Sequence, residues 1–586
     1  MVNRKVLIRL VVIAGGVGIL LLSLFAYQLG LDNDPGWGPR RFQILGAGLV
    51  IILFGALYWI TPVFSRWFGL SSKYTSQDVT LSQESKPITH ARSNPTDLWL
   101  LLIVGLALLG YIWIISIGTM NKWPSGRDYF WMLAQAFQKG QTSLLVEPSP
   151  ELLKLENPYD LSQRKSLDYL WDTTLYHGKY YLYWGPVPAV LAILINLVTK
   201  QPVSDAWLVF LFVTGTVLFS VLLLRKLLQD DRLPGWVFWG GVLACAVNIP
   251  LIWLFTHPAY YEASIAGGQF FLMAGFFLLY LAFRSPKVHT GYVFFSALAF
   301  GLAGGTRISL LPSVIFLAFM ILLRVYLTHH HNLRASVPAF AAALIPLAII
   351  GLFLMAYNYD RFGSIFEFGH RYQLTGLAST ADYSDQTSLN YVIPSTYSYF
   401  FRPPSLSEQF PFITVPPIKE KMWPFFINPP ENYYYAEPLA GLLLVVPLIG
   451  FTAILLLRVF WLLINGDVFL TNIRYRDNEV LIWFGAAILG YILIQTAVLL
   501  VFVSTSMRYL VDITPALIVL SSIFVGLYVR SFEEKGYWVK AILFLWLFTA
   551  SLTVLAGILI GLTGGQNNFL NKNPQLYHQL LEWFSR

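Results

Sequence analysis

Apolar runs of helical length, separated by short polar breaks, make up most of this chain. A helix needs about 20 mostly apolar residues to cross a bilayer. Runs of that kind predict about thirteen spanning helices, at roughly 6–29, 42–64, 98–117, 205–224, 235–256, 263–283, 291–306, 308–327, 336–357, 438–463, 480–503, 509–529 and 538–562. Around Arg307 the division stays open, because Gly301, Gly304, Gly305 and Pro312 offer several places to break one long segment. The fold class expected is an all-α polytopic membrane protein.

Charge in the breaks orients the chain. With the N-terminus cytoplasmic, the inner connections hold Arg66, Lys73, Arg225, Lys226, Arg284, Lys287, Arg324, Arg334, Arg474, Arg476 and Lys540. The short outer loops hold little beyond Arg40, Arg41, Arg307 and Arg508. That asymmetry is the positive-inside pattern. It also decides the run Val187–Val198, which is apolar for only about a dozen residues: if it spanned, Arg225 and Lys226 would fall outside, so it is expected to lie along the outer interface as a juxtamembrane helix anchored by Tyr181, Tyr183 and Trp184. Two long segments then share the outer face, 118–204 and 359–437. The second is rich in proline and aromatics, which favours extended coil over helix. The expected organisation is a two-helix addition with its cytoplasmic loop (1–97), a transmembrane core (98–562) and an outer tail (563–586).

Composition narrows the class. Of 586 residues, 56% are hydrophobic and 12% charged, and the mean hydropathy is +0.60, which excludes an ordinary soluble domain. The net charge of +8 is explained by topology and anionic headgroups rather than by nucleic acid. Cys245 is the single cysteine, so no intrachain disulfide or cysteine metal cluster forms. The first apolar run is too long for a signal-peptide core and is expected to be a retained helix.

Few residues carry chemistry. Asp128 opens an amphipathic stretch about ten residues after the third expected helix, where a carboxylate meets water and a polar acceptor; its spacing from Ser125 is equally that of a capping box. Glu262, in Tyr260-Tyr261-Glu262, sits at a helix end where a carboxylate is costly unless paired or hydrated, or is simply a favourable charge at a helix N-terminus. Arg307 and Arg508 are outer cations against the trend and suit an anion such as a lipid phosphate; Arg508 also has the i,i+4 spacing of a pair with Asp512. Tyr261, Tyr357, Asp360, Glu367, His370 and Arg371 interleave aromatic and polar groups in a way that suits a sugar's apolar face and hydroxyls. No histidine has ligand spacing to another histidine or to cysteine. A divalent cation held through Asp128 or Glu262 stays open. Walker, nucleophile-elbow and Rossmann patterns are absent.

The stretch Gly126-Arg127-Asp128-Tyr129-Phe130, the later Tyr183-Trp184-Gly185-Pro186-Val187-Pro188-Ala189, and Tyr260-Tyr261-Glu262, Gly304-Gly305-Thr306-Arg307 and Arg508-Tyr509-Leu510, in this order, resemble the GT-C membrane glycosyltransferases. That superfamily includes the protein O-mannosyltransferases and aminoarabinose transferases, and the likeness is to an uncharacterised bacterial member. It differs in having Gly185-Pro186-Val187-Pro188 where His-Pro-Pro is usual, and no acid adjoins Asp128. The resemblance implies an inverting glycosyltransferase of the bacterial cytoplasmic membrane, its site on the outer face, using a polyprenyl-phosphate-linked sugar and a glycan, lipid or protein acceptor. It implies Asp128 as base or metal contact and Glu262 as the second acid. A non-enzymatic transporter or assembly scaffold for lipid-linked saccharides is the alternative; clustering of the candidates at one face favours the enzyme.

Overall fold

The computed structural model describes residues 95–586 except 125, 231, 376–385, 420–421, 436, 466–478, 532–536, 566–567 and 586. The helices expected at 6–29 and 42–64 lie outside the described residues. In chain order the helices of ten or more residues are α1 Pro95–Ile115, α2 Tyr129–Gln138, α3 Val187–Thr199, α4 Asp205–Gln229, α5 Gly235–Ala246, α6 Tyr260–Phe283, α7 Thr290–Thr306, α8 Leu311–Thr328, α9 Leu333–Phe362, α10 Gly450–Asn465, α11 Glu479–Leu500, α12 Thr514–Ser531, α13 Tyr537–Leu562 and α14 Pro574–Ser585. The chain forms two compact units, one of residues 1–106, 383–385 and 456–479, the other of 107–382, 386–455 and 480–586. In the first, the described residues are helical, in α1, α10 and the first residue of α11. The second holds the candidate site.

Among the described residues seven helical segments are long and apolar enough to cross a membrane: Asp205–Gln229, Gly235–Trp253, Tyr260–Phe283, Ile308–Thr328, Leu333–Phe362, Glu479–Leu500 and Val539–Leu562. The protein is thus an integral membrane protein. Shorter apolar helices occupy the other expected spans, such as Thr290–Thr306 and Thr514–Val529. Burial ranks them: 72% of the most apolar window of α6 is buried, against 22% for α9. Accordingly α6 packs against α4 and α7, while α7 packs in turn against α9. Glycine makes the close approaches. A Cβ at Gly275 of α6 would lie 2.5 Å from the Phe300 ring of α7.

Several expected helices are broken. The 438–463 run is not one helix but Leu442–Val445, a 3₁₀ turn at Pro447–Ile449, and α10. Val446 is forced to φ −134°, ψ 61° because the ring of Pro447 disfavours the helical region for the residue before it. The 235–256 run breaks at Val247 and restarts at Ile249–Trp253 under an Asn248 cap, whose Oδ1 accepts the Leu251 N–H at 3.1 Å. Around Arg307 the break is single: α7 ends at Thr306, Arg307 is extended, and Ile308–Leu310 leads into α8.

The two long segments are more structured than coil. The first contains α2, two single-turn helices and a hairpin, β1 Thr174–Tyr176 and β2 Lys179–Tyr181, with Thr174 opposite Tyr181. His177 (φ 47°) and Gly178 (φ 73°) at its tip supply the two positive φ values that a two-residue hairpin turn requires. α3 follows, burying Val187, Pro188, Ala189 and Ala192 and exposing Leu194, Leu197 and Val198. In the second segment the expectation of extended coil fails at 392–401, where Phe400 and Phe401 end a helical turn that began at Val392. Pro403 and Pro404 stop it, and the described residues from there to Glu437 form mainly turns, extended chain and a two-residue strand pair. The segments join where Thr174 pairs with Gln373.

Candidate functional site

Asp205 and Glu262 lie at the starts of α4 and α6, Arg307 just after α7, and Arg508 and Asp512 in the 3₁₀ turn Met507–Asp512. Asp128 precedes α2 with φ −80° and ψ 83°, and its carboxylate makes no bond to its own helix. The capping box read from Ser125 places it at N3, which the structure does not bear out: Asp128 stands one residue outside the helix. Its Oδ1 instead accepts the Asp205 N–H of α4 at 2.9 Å. Asp205 returns the contact, its two oxygens accepting the Tyr129 and Phe130 N–H groups at 2.9 and 3.2 Å. Each aspartate thus answers the orphan donors at the start of the other's helix. Asp205 is 1% exposed; Asp128 is half-buried, and burial raises its pKa above the ordinary carboxylate range against the opposing pull of the Asp205 N–H.

Glu262 lies in the first turn of α6, 4% exposed. One oxygen is 3.4 Å from the Ala259 N–H, so the helix-terminus reading holds, and the other is 3.5 Å from the Arg508 guanidinium. Arg508 reaches Glu437 at 2.6 Å and lies over the Tyr261 ring at 4.6 Å. Its Nε is buried without a hydrogen-bond partner among the described residues. The i,i+4 pair of Arg508 with Asp512 does not form. Asp512, fully buried, pairs at 2.6 Å with Arg307, whose side chain is 16% exposed. The two arginines flank Tyr509, at 5.2 and 5.5 Å from its ring.

A further acid, Asp172, joins the segments. It is 1% exposed, and its carboxylate accepts from the Tyr261 hydroxyl, the Gln373 amide and, at 3.4 Å, the Tyr183 hydroxyl. Burial pushes its pKa up to about 7, against the lowering effect of Gln373, Tyr183 and Arg508. An aromatic wall stands beside it. Trp184 is 4.0 Å from Tyr183, 4.7 Å from Tyr260 and 5.3 Å from Tyr261 between ring centroids, and Tyr260 is 4.5 Å from Tyr129. The wall can press this close to α7 because Gly185 follows it: a Cβ there would lie 1.9 Å from the Gly305 carbonyl oxygen. His370 packs on Tyr183 at 5.1 Å, and burial holds its pKa down to about 4, so its ring is neutral near pH 7.

The structure therefore brings Asp128, Tyr261, Glu262, His370 and Arg508 into one network. Arg307 borders it, its charge answered inside the protein. Glu367 and Arg371 pair with each other at 3.1 Å. Tyr357 and Asp360 line a separate cavity of about 340 Å³ with Phe137, Thr142 and Val190, where the Thr142 hydroxyl donates to Asp360 at 2.7 Å. Asp172, Asp205, Gln373 and Glu437 were not legible as site residues. Asp205 follows Ser204 at the start of an apolar run and looks like an ordinary helix cap, while the others sit in polar segments where such residues are the rule.

Among the described residues no group of three His, Cys, Asp or Glu converges as metal ligands. Both oxygens of Asp205 are held by N–H groups and Glu262 is held by Arg508.

No family model matches the chain, and no curated protein matches it. Solved structures do. The Archaeoglobus fulgidus oligosaccharyltransferase AglB, in complex with an inhibitory peptide and a dolichol-phosphate, is similar at 12% identity and a TM-score of 0.38 over 84% of this chain and 60% of its own. Its apo form gives 12% identity and 0.37, over 83% of this chain and 60% of its own. ArnT from Cupriavidus metallidurans, bound to undecaprenyl phosphate, gives 11% and 0.37 over 81% of this chain and 78% of its own. Both proteins are GT-C fold membrane glycosyltransferases. The chain spans about 60% of the length of the archaeal proteins it is similar to.

Proposed function

We propose that the protein is an inverting glycosyltransferase that moves a sugar from a polyprenyl-phosphate carrier to an acceptor hydroxyl at the outer face of a bacterial cytoplasmic membrane. The observation that carries this reading is the Asp128 carboxylate: half-buried, raised in pKa, with one oxygen fixed by the Asp205 N–H and no bond to its own helix. A carboxylate held that way is positioned and basic enough to take a proton. In the proposed step the acceptor oxygen attacks the anomeric carbon, its proton passes to Asp128, and the bond from that carbon to the carrier phosphate breaks with its electron pair leaving on phosphate.

Arg508 is the group assigned to that departing phosphate. It is buried, has an Nε donor without a partner among the described residues and lies on Tyr261, and a cation there stabilises the charge that develops on the leaving group. Both arginines are paired, Arg307 with Asp512 and Arg508 with Glu437 and Glu262; Arg508 is assigned the role for its Nε donor and its place over Tyr261. Tyr260, Tyr261 and Trp184 are the wall against which the sugar stacks. Lipid phosphates of the kind bound in the AglB and ArnT structures are the carrier class assigned to this chain.

The test is transfer from a panel of polyprenyl-phosphate sugars by purified protein in lipid, with Asp128→Asn alongside. The variant is expected to lose about 10²- to 10⁴-fold in turnover while still binding donor. Full activity in the variant would remove Asp128 from the chemistry. No transfer from any donor, together with movement of lipid-linked sugar that the variant leaves unchanged, would replace the transferase by a transporter.

A further inference from the structure

The second long segment carries a binding feature that the proposed chemistry does not use. Between Trp423 and Tyr435 the chain folds on itself around a cavity of about 470 Å³, within the range of about 300–1,000 Å³ common for small-molecule sites. Proline and short turns hold it open: the Ile427 N–H bonds to the Pro424 carbonyl at 2.8 Å and the Tyr433 N–H to the Pro430 carbonyl at 3.0 Å. Its base is fixed. Tyr433 is 3% exposed, and its hydroxyl bonds to Ser395 at 3.0 Å. Trp423 packs on Tyr435 at 5.5 Å, edge to face.

Its contents are mixed in a particular way. The Phe425 ring is 96% exposed, the side chains of Asn428 and Glu431 stand exposed on the same wall, and the Trp423 indole N–H has no acceptor among the described residues. An apolar partner would bury the amide and the carboxylate unpaired, at a cost. A saccharide has both a C–H face for the rings and hydroxyls for the amide and carboxylate. Glu431 selects against anionic sugars.

The cavity also adjoins the catalytic network. Within this stretch the Tyr434 N–H bonds to the Val503 carbonyl at 2.9 Å and the Thr505 N–H to the Tyr434 carbonyl at 3.2 Å, and just after it Glu437 reaches Arg508. We infer that the 423–435 cavity is a subsite for a neutral saccharide belonging to the acceptor of the proposed transferase. This deepens that reading and rests on it for the word acceptor, but not for the binding itself.

The experiment is direct binding of neutral oligosaccharides of two to four hexoses to the full-length protein in lipid nanodiscs, followed by saturation-transfer NMR. Maltoside detergents are avoided because their headgroups are themselves saccharides. Wild type and Asp128→Asn are expected to bind equally. Phe425→Ala and Asn428→Ala, both at exposed positions that leave the fold intact, are expected to bind about tenfold more weakly. An acidic oligosaccharide should bind less than its neutral counterpart, and Glu431→Gln should narrow that gap. No binding by wild type, or equal binding by wild type, Phe425→Ala and Asn428→Ala, overturns the subsite. Binding as expected with no transfer from any donor would keep the subsite and overturn the transferase, so the two failures are distinguishable.

Discussion

Asp172→Asn isolates a buried carboxylate whose charge state changes within the working range of most assays. In the folded protein its pKa is raised from the ordinary 3.8 to about 7, chiefly by burial. Between those values the folded state holds a proton that the unfolded chain has released, so the contribution of Asp172 to stability is full below about pH 4 and is lost as pH rises through about 7. The interval corresponds to about 4 kcal/mol at about 1.4 kcal/mol per pH unit. That figure already includes the opposing pull of the Gln373 and Tyr183 donors and of Arg508. Asparagine keeps the shape, accepts from Gln373 through its carbonyl, and offers an amide that either tyrosine hydroxyl turns to accept. The assay is the thermal midpoint of purified protein in nanodiscs from pH 4.5 to 8.5. Wild type should lose stability relative to the variant as pH rises toward 7, the difference levelling off above it. A wild-type minus variant difference that stays constant over the whole range would refute the protonation argument.

Two other perturbations test the scaffold. Gly185→Ala should destabilise the protein by more than the roughly 1–3 kcal/mol usual for overpacking, because the new methyl meets the Gly305 carbonyl oxygen rather than a movable side chain; a thermal midpoint within a degree of wild type would refute it. Arg307→Met or Asp512→Leu alone should cost about 3–5 kcal/mol by stranding a buried charge, and the double variant should recover most of that. Additive losses in a double-mutant cycle would show that the pair is not coupled.

The spanning helices were readable because lipid and protein interior both demand apolar side chains over a fixed length, so each run announces itself whatever its neighbours do. Breaks inside runs were harder. Val446-Pro447 and Val247-Asn248 end their helices through backbone chemistry that hydropathy does not register. The site was legible in the same unequal way. Asp128, Glu262 and Arg508 stand out as charges at the edges of apolar runs. Asp172, Gln373 and Glu437 do not, because what matters about them is which distant residue they meet: Gln373 is 201 residues from Asp172 and Arg508 is 71 from Glu437. Asp512, read as the neighbour of Arg508 four residues back, is claimed instead by Arg307, 205 residues away. Helical spacing proposes such a partner, and only the packed chain chooses one.

The reciprocal caps of Asp128 and Asp205 make the stretch between them a closed ring. Its two ends are fastened to each other, 77 residues apart in sequence, and the entropy of closing such a ring rises only by about 0.6 kcal/mol for each doubling of its length. The bundle below therefore registers that the ring is shut and is almost indifferent to how much chain it contains. A lineage is free to lengthen, trim or replace the exposed turn around residues 153–157 without renegotiating the helices, and that is where kindred sequences should diverge in length first.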